Sequence, residues 1–459
     1  MPQFFWDEAE TLFFHPCDLF LTRLFSLISH SHTPSPPIKT KKQHGVFALT
    51  EDKWRPMRRR LDQYFTRSNI SNMFPQVLAS AKDTAERLAL QAKANPPAHY
   101  HNLVPVISRS VMDSLVRCVF SREFDEVTDT ARMRAIELAN WYKAADFLNN
   151  VPVIKHFNPL KKDYIKYLHM LNDLSKLEVD ARRELYEVDP SSAPNDLLTN
   201  ILGYGIRPTL DDMQFSYENE VHNVGTFFFA GLDTTTNSLL FTIALLYAFL
   251  FLFSAHVYMA YRCLRCKHPE IMKRATEEVD RVFAELMGVH LDQESQLVPK
   301  LVYLDKIIKE ATRLYPGTVG TSRVPHEDLQ LGDHVIRKGT RLMLNGTLDS
   351  RWISNWGYAA GAMSRSPLHW ERPDEFYPEH FNEDVTKARH PMAYFPFGGG
   401  PRICIGFRLA VQEQRVILAH LLHNFTFESH PDQKIEVFSG LTNNFIGPLL
   451  VRIAPRNHQ

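Results

Sequence analysis

The sequence predicts a mainly α-helical protein with a small β region, and three observations point there. From Trp54 onward, apolar residues recur at helical spacing through long stretches, with Pro and Gly clusters as punctuation. Short strand-like runs are confined to 330–336, 340–344 and 434–453. Aromatic residues make up 12% of the 459, with 31 Phe among them, enough for a large apolar interior.

Taken in order, residues 1–44 are apolar only in patches. Charges from Asp7 to Arg23 interrupt any run of the roughly 20 apolar residues that a spanning helix needs. Pro34, Pro36 and Pro37, followed by Lys39, Lys41 and Lys42, read as a linker. The expected organisation is therefore an atypical N-terminal segment, 1–44, ahead of one large domain, 45–459. Helices are expected near 53–67, 73–93, 103–119, 130–148, 160–187, 196–204, 210–250, 268–287, 300–315 and 406–423. In the ninth, Leu304, Ile307, Ile308, Ala311 and Leu314 share one face. Basic and acidic residues balance at 52 each, so net charge does not point to a nucleic-acid partner. Five cysteines without framework spacing fit a reducing compartment.

The stretch richest in chemistry is Phe397-Gly-Gly-Gly-Pro-Arg402-Ile-Cys404-Ile-Gly406. The apolar spacing that follows places Cys404 just before a helix N-terminus, a position that stabilises a thiolate. Glycines let the main chain approach a bulky ligand and adopt positive φ. The loop lacks the Gly-Lys-Ser/Thr ending of a phosphate loop, so a metal bound through sulfur is the better reading, against a glycine turn with a structural cysteine.

Three further groups stand out. Ala230-Gly231-Leu-Asp233-Thr234-Thr235 lies inside a Phe- and Leu-rich helical run, where polar groups need partners. The plain alternative is threonine bonding back to the carbonyl four residues earlier. Glu310 and Arg313 are neighbours on one helix, and alone they read equally as a solvated pair. Trp54 and Arg58 fall on one helical face, within a basic cluster of Arg55, Arg58, Arg59 and Arg60 that reads equally as a solvated face.

Together these motifs resemble the cytochrome P-450 family, of eukaryotic microsomal and fungal-like type, over about Gly45 to the end. The resemblance implies that family's fold, with haem b between distal and proximal helices, and a monooxygenase. It implies Cys404 as axial ligand of the haem iron and Phe397 within the haem-binding loop. Arg402, Trp54, Arg58 and Arg323 are implied as haem-propionate contacts. Ala230 and Gly231 leave room for dioxygen, Thr234 holds the oxygen species and its water, and Asp233 relays the proton. Glu310 and Arg313 are implied as structural, with His380 standing where the family carries arginine; it can donate a hydrogen bond but lacks the guanidinium fork. The expected partners are a small apolar organic substrate, O2 and an NADPH-dependent flavoprotein reductase, with no nucleic acid. Membrane association at the cytosolic face of the endoplasmic reticulum is expected, although no anchor is evident.

Three segments depart from the pattern. The opening strands expected before Trp54 are not recognisable in 1–44, and residues 249–266 and 347–361 read as insertions, each separating two halves that join smoothly without it. The expectation is that both are translated introns and that the N-terminus is a misassigned start, which leaves an inactive or merely haem-binding product as the alternative. Cys263, Cys266 and His268 resemble half of a zinc site. Residues 239–261 score as a membrane span by hydropathy, which would take Asp233 and Thr234 out of the core. Phe227, Phe228 and Phe229 are candidates for the pocket wall.

Overall fold

The computed structural model describes residues 45–47, 49, 51–144, 160–203, 216–247, 250–251, 263–264, 268–286, 297–318, 320–340, 342–345, 363–433, 436–439 and 442–457. The segments 1–44 and 347–361 lie outside the described residues, as does most of 249–266. The α-helices are α1 Glu51–Asp62, α2 Arg67–Asn72, α3 Phe74–Ala94, α4 Leu103–Phe120, α5 Thr128–Ala144, α6 Leu160–Val188 and α7 Leu197–Leu202. They continue with α8 Tyr217–Tyr247, α9 Pro269–Leu286, α10 Leu297–Lys300, α11 Val302–Leu314, α12 Glu383–Ala388 and α13 Phe407–Asn424. All ten helices expected from the periodicity have a counterpart here.

Helix α8 is the axis of the fold. Every residue from Thr235 to Leu246 is buried, the mark of a helix enclosed on all sides, and it packs against α4, α6, α11 and α13. It is long and apolar enough to cross a membrane, yet the relevant window is mostly buried inside the protein. The membrane-span alternative therefore fails for its described part, 239–247, because those side chains already face protein. Helix α11 buries Leu304, Ile307, Ile308, Ala311 and Leu314, the face read from the spacing.

Strands are short: β1 His101–Asn102, β2 Leu250–Phe251, β3 Cys263–Leu264, β4 Gly320–Arg323, β5 Leu329–Leu331, β6 His334–Ile336 and β7 Leu342–Asn345. After α13 come β8 Phe425–Ser429, β9 Glu436–Ser439, β10 Asn443–Ile446 and β11 Leu450–Pro455. All pairings are antiparallel: β11 lies between β1 and β8, with His101 opposite Val451 and Val451 opposite Ser429. The other pairs are β9 with β10, β4 with β7, β5 with β6 and β2 with β3. The stretch read as 434–453 resolves into strands separated by turns. Strands β1, β2, β3, β4 and β8 were not expected: β1, β2 and β3 have two residues each, and β8 follows α13 without a breaker residue. Among the described residues no cluster of three His, Cys, Asp or Glu could hold a metal ion; Cys266 of the zinc reading lies outside them.

Candidate functional site

The glycine loop behaves as its sequence demands. Gly398 and Gly400 take φ of 75° and 70°, where a side chain would be strained. The turn closes when the Cys404 N–H donates to the Phe397 carbonyl at 2.9 Å. Helix α13 begins three residues after Cys404, at Phe407. The thiol is accessible, yet it sits deep enough for burial to push it above the ordinary thiol range, so it opens onto interior space. The Gly406 N–H and the Arg58 charge pull the other way. The expected thiolate is thus not favoured by the loop alone: desolvation outweighs the helix terminus, and a metal's charge is needed to tip the balance.

Helix α1 is held against this loop. Arg58 Nη1 donates to the Ile403 carbonyl at 2.8 Å while its Nε pairs with Asp62 at 2.7 Å. The Arg402 guanidinium lies over the Trp54 ring, 4.2 Å from its centroid, and donates to the Leu49 carbonyl at 3.1 Å. Trp54, Arg58 and Arg402 therefore tie α1 to the cysteine loop, with the Arg58 charge acting on the Cys404 sulfur and the Arg402 guanidinium seated on Trp54. Of the rest of the basic cluster, Arg60 is engaged by the Asn200 carbonyl at 3.0 Å, while Arg55 and Arg59 are exposed. Arg323 ends β4, where Thr321 Oγ1 accepts from it at 2.6 Å. A shallow open cleft is bordered by Gly320 and Thr321 of that strand and by Phe395 and Gly398 at the start of the cysteine loop.

On α8, Ala230 is exposed and Gly231 and Thr234 are half-buried, an accessible patch immediately before the fully buried stretch from Thr235. Thr234 Oγ1 donates to the Ala230 carbonyl at 2.7 Å, the back-bonded arrangement weighed above, which leaves the oxygen free to accept. A Cβ on Gly231 would lie 2.8 Å from Leu115 Cδ1, so its smallness also serves packing on α4. A Cβ on Gly317 would lie 3.0 Å from Thr234 Cβ, so the turn after α11 seats directly on that threonine. Asp233 is buried, and its Oδ1 accepts from Asn237 Nδ2 at 3.2 Å. The acid and the alcohol are thus adjacent in sequence but are held by different partners. Phe227 stacks on Phe65 and Phe228 on Phe120, with Arg132 over Phe228 at 3.8 Å, so Phe228 is core rather than pocket wall.

Glu310 and Arg313 are not a solvated pair: both side chains are 0% exposed. The carboxylate accepts two bonds from Arg313 at 2.8 Å, one from the Tyr377 N–H at 3.0 Å and one from His380 Nδ1 at 3.0 Å. These donors hold Glu310 below the usual carboxylate range despite its burial. Arg313 also donates to the carbonyls of Ser364, Pro373 and Glu375. Trp370 contacts two guanidiniums, Arg313 at 4.8 Å and Arg389 at 3.6 Å. His380 fills its place with a single hydrogen bond, and Arg389, which donates to the His380 carbonyl, brings a second guanidinium to the cluster.

The donor set fits haem. A lone sulfur ligand suits an ion that brings its own in-plane ligands, and the guanidiniums beside it suit carboxylates. A model of the family described as Cytochrome P450 matches residues 28–249 and 258–448. The chain belongs to the cytochrome P450 family. Relatives of this P450 include cytochrome P450 3A11 of Mus musculus, 24% identical over 420 residues, covering 89% of this chain and 75% of the mouse protein. A putative cytochrome P450, cyp-13B1, of Caenorhabditis elegans is 27% identical, covering 91% and 78%. The cytochrome P450DA heme domain shares the fold, with a TM-score of 0.70 at 23% identity, over 90% of this chain and 80% of that one. This P450 is accordingly a haem b monooxygenase.

Missed by sequence reasoning were Asn237, one helical turn after Asp233, and Gly317, whose contact with Thr234 needs the tertiary fold. The amide spaced four residues after the acid was the available signal for the first.

Proposed function

We propose that this P450 inserts one atom of dioxygen into a small apolar organic substrate, with electrons from an NADPH-dependent flavoprotein reductase, at the cytosolic face of the endoplasmic reticulum. Bound haem supplies the iron at which dioxygen is activated. The chain's own residues do the rest. Cys404 would hold the iron through its sulfur, and Arg58, Arg402, Trp54 and Arg323 would take the propionates. Phe397 closes the loop, and the open patch at Ala230 and Gly231 admits dioxygen. Thr234 Oγ1, its own proton committed to the Ala230 carbonyl, would accept a hydrogen bond from water in the distal pocket, and Asp233 would deliver protons to that water. Glu310, Arg313 and His380 hold the segment leading into the cysteine loop.

What carries the reading is the clamp of α1 on the cysteine loop: residues some 350 positions apart bring two guanidiniums to the loop that holds the sulfur, the charges a dicarboxylate porphyrin needs. The test is the absorption spectrum of the reduced, carbon-monoxide-bound chain. The thiolate-shifted Soret band is expected, and it should vanish in Cys404→His; its survival there would overturn the ligand assignment. We read 45–459 as the catalytic domain and 249–266 and 347–361 as insertions, supported for the first by the break in the family match between 249 and 258. A mature transcript encoding both segments would overturn their origin as translated introns.

A further inference from the structure

Asn237 makes contacts that neither the helix nor the core requires of it. It is 6% exposed and lies one turn after Asp233 on α8. Its Nδ2 donates to the Asp233 carbonyl at 2.8 Å and to Asp233 Oδ1 at 3.2 Å, with Asn444 Oδ1 at 3.5 Å. Its Oδ1 accepts from the Phe445 N–H of β10 at 2.8 Å. A backbone N–H can only donate, so Phe445 fixes which end of the amide is oxygen, and the NH2 must then face Asp233. Both ends of the amide are thus spoken for, one by the acid and one by a strand more than 200 residues away.

The same strand holds the turn over Thr234. Asn443 Nδ2 donates to the Pro316 carbonyl at 2.7 Å, its N–H donates to the Gly317 carbonyl, and Thr318 bridges Thr442. Strand β10 therefore reaches Asp233 through Asn237 and Thr234 through Gly317. Adjacent helix residues point about 100° apart, so a carboxylate held over the following turn by Asn237 does not point along the Thr234 side chain.

We infer that Asn237 is a positioning residue: it holds the Asp233 carboxylate over the turn that follows and ties its orientation to the placement of β10. A displacement of β10 removes the bond that orients the amide, and the acid is released with it. The inference rests on the proton-delivery role proposed for Asp233, and the experiment separates the two.

The haem-loaded full chain is compared with Asn237→Leu and Asn237→Asp. Hydrogen exchange of the segment containing Phe445 should speed up about fivefold in Asn237→Leu, which removes the acceptor, and stay unchanged in Asn237→Asp, which keeps it. The Asp233 carboxylate stretch in the infrared, assigned by its loss in Asp233→Asn, should move in both Asn237 variants, since Asn237→Leu removes the amide donor and Asn237→Asp replaces it with a second carboxyl against Asp233. Unchanged exchange in Asn237→Leu, or an unmoved band in either variant, overturns the inference; should one variant fail to fold, the other's pattern still decides. The functional arm follows oxygen consumption by the haem-loaded chain supplied with NADPH and a flavoprotein reductase, which together deliver both electrons. Asp233→Asn should slow it on the order of tenfold, and Asn237→Leu should alter the rate in the parent but not in the Asp233→Asn background. If Asp233→Asn changes nothing, the proton-delivery role falls while the infrared and exchange results still judge Asn237. If Asn237→Leu acts equally in both backgrounds, Asn237 acts through packing alone and the inference is overturned.

Discussion

Glu413 makes stability depend on pH in a way that one substitution removes. It lies on α13, nine residues beyond Cys404, and is 3% exposed. Ser114 Oγ donates to it at 2.7 Å, the one hydrogen bond that opposes the cost of its burial. Burial raises it from its ordinary 4.5 to about 7. The folded chain therefore holds a proton that the unfolded chain has already released between those two values. A raised acid contributes stability that is fully present below about pH 4.5 and lost as pH rises through about 7. With each pH unit worth about 1.4 kcal/mol, the loss amounts to about 3 kcal/mol. Glu413→Gln keeps the acceptor for Ser114 and carries no charge, so it should be more stable than the parent by about 3 kcal/mol above about pH 7 and equal to it below about pH 4.5. Urea unfolding of parent and variant below about pH 4.5 and above about pH 7 reads the difference directly. A constant difference between the two at every pH would refute the reasoning, because it would mean that Glu413 ionises in the folded chain as it does in the unfolded one.

Arg313→Leu strands the buried Glu310 carboxylate and frees three carbonyls; the first alone costs about 3–5 kcal/mol, so haem-loaded protein should fall to a trace by carbon-monoxide spectrum. Near-parental yield would show that His380 and Arg389 suffice. Gly317→Ala presses on Thr234 at 3.0 Å and should cost about 1–3 kcal/mol, with more hydrogen peroxide released per NADPH oxidised. Unchanged peroxide release would dissociate the turn from oxygen handling.

Periodicity located the helices because most present a partial apolar face, as α11 does. It said less where a helix is surrounded. Gln412, Glu413 and Gln414 are consecutive polar residues that a helical wheel assigns to solvent, yet all three are buried, because α13 is packed by α3, α8, α9 and α11. Motif spacing identified Trp54, Arg58, Arg402 and Cys404, and the fold brings them together. It was silent on Arg389, whose guanidinium comes to Trp370 from a helix end with no pattern of its own, and on Asn237, whose role exists only because β10 crosses α8. The short strands were the least legible, since a two-residue β1 is defined by its partner β11 rather than by its own composition.

The clamp of Arg58 on Ile403 also sets a clock. The two residues are 345 apart in sequence, and at about 5–20 residues per second a ribosome takes roughly 20–70 s to make the second after the first. Throughout that interval α1 has no loop to close on, and its arginines and Trp54 wait in solution or in transient company. A chain that stalls before Cys404 carries most of the helices but none of the sulfur chemistry, so quality control that senses haem capture inspects the whole product at its last step.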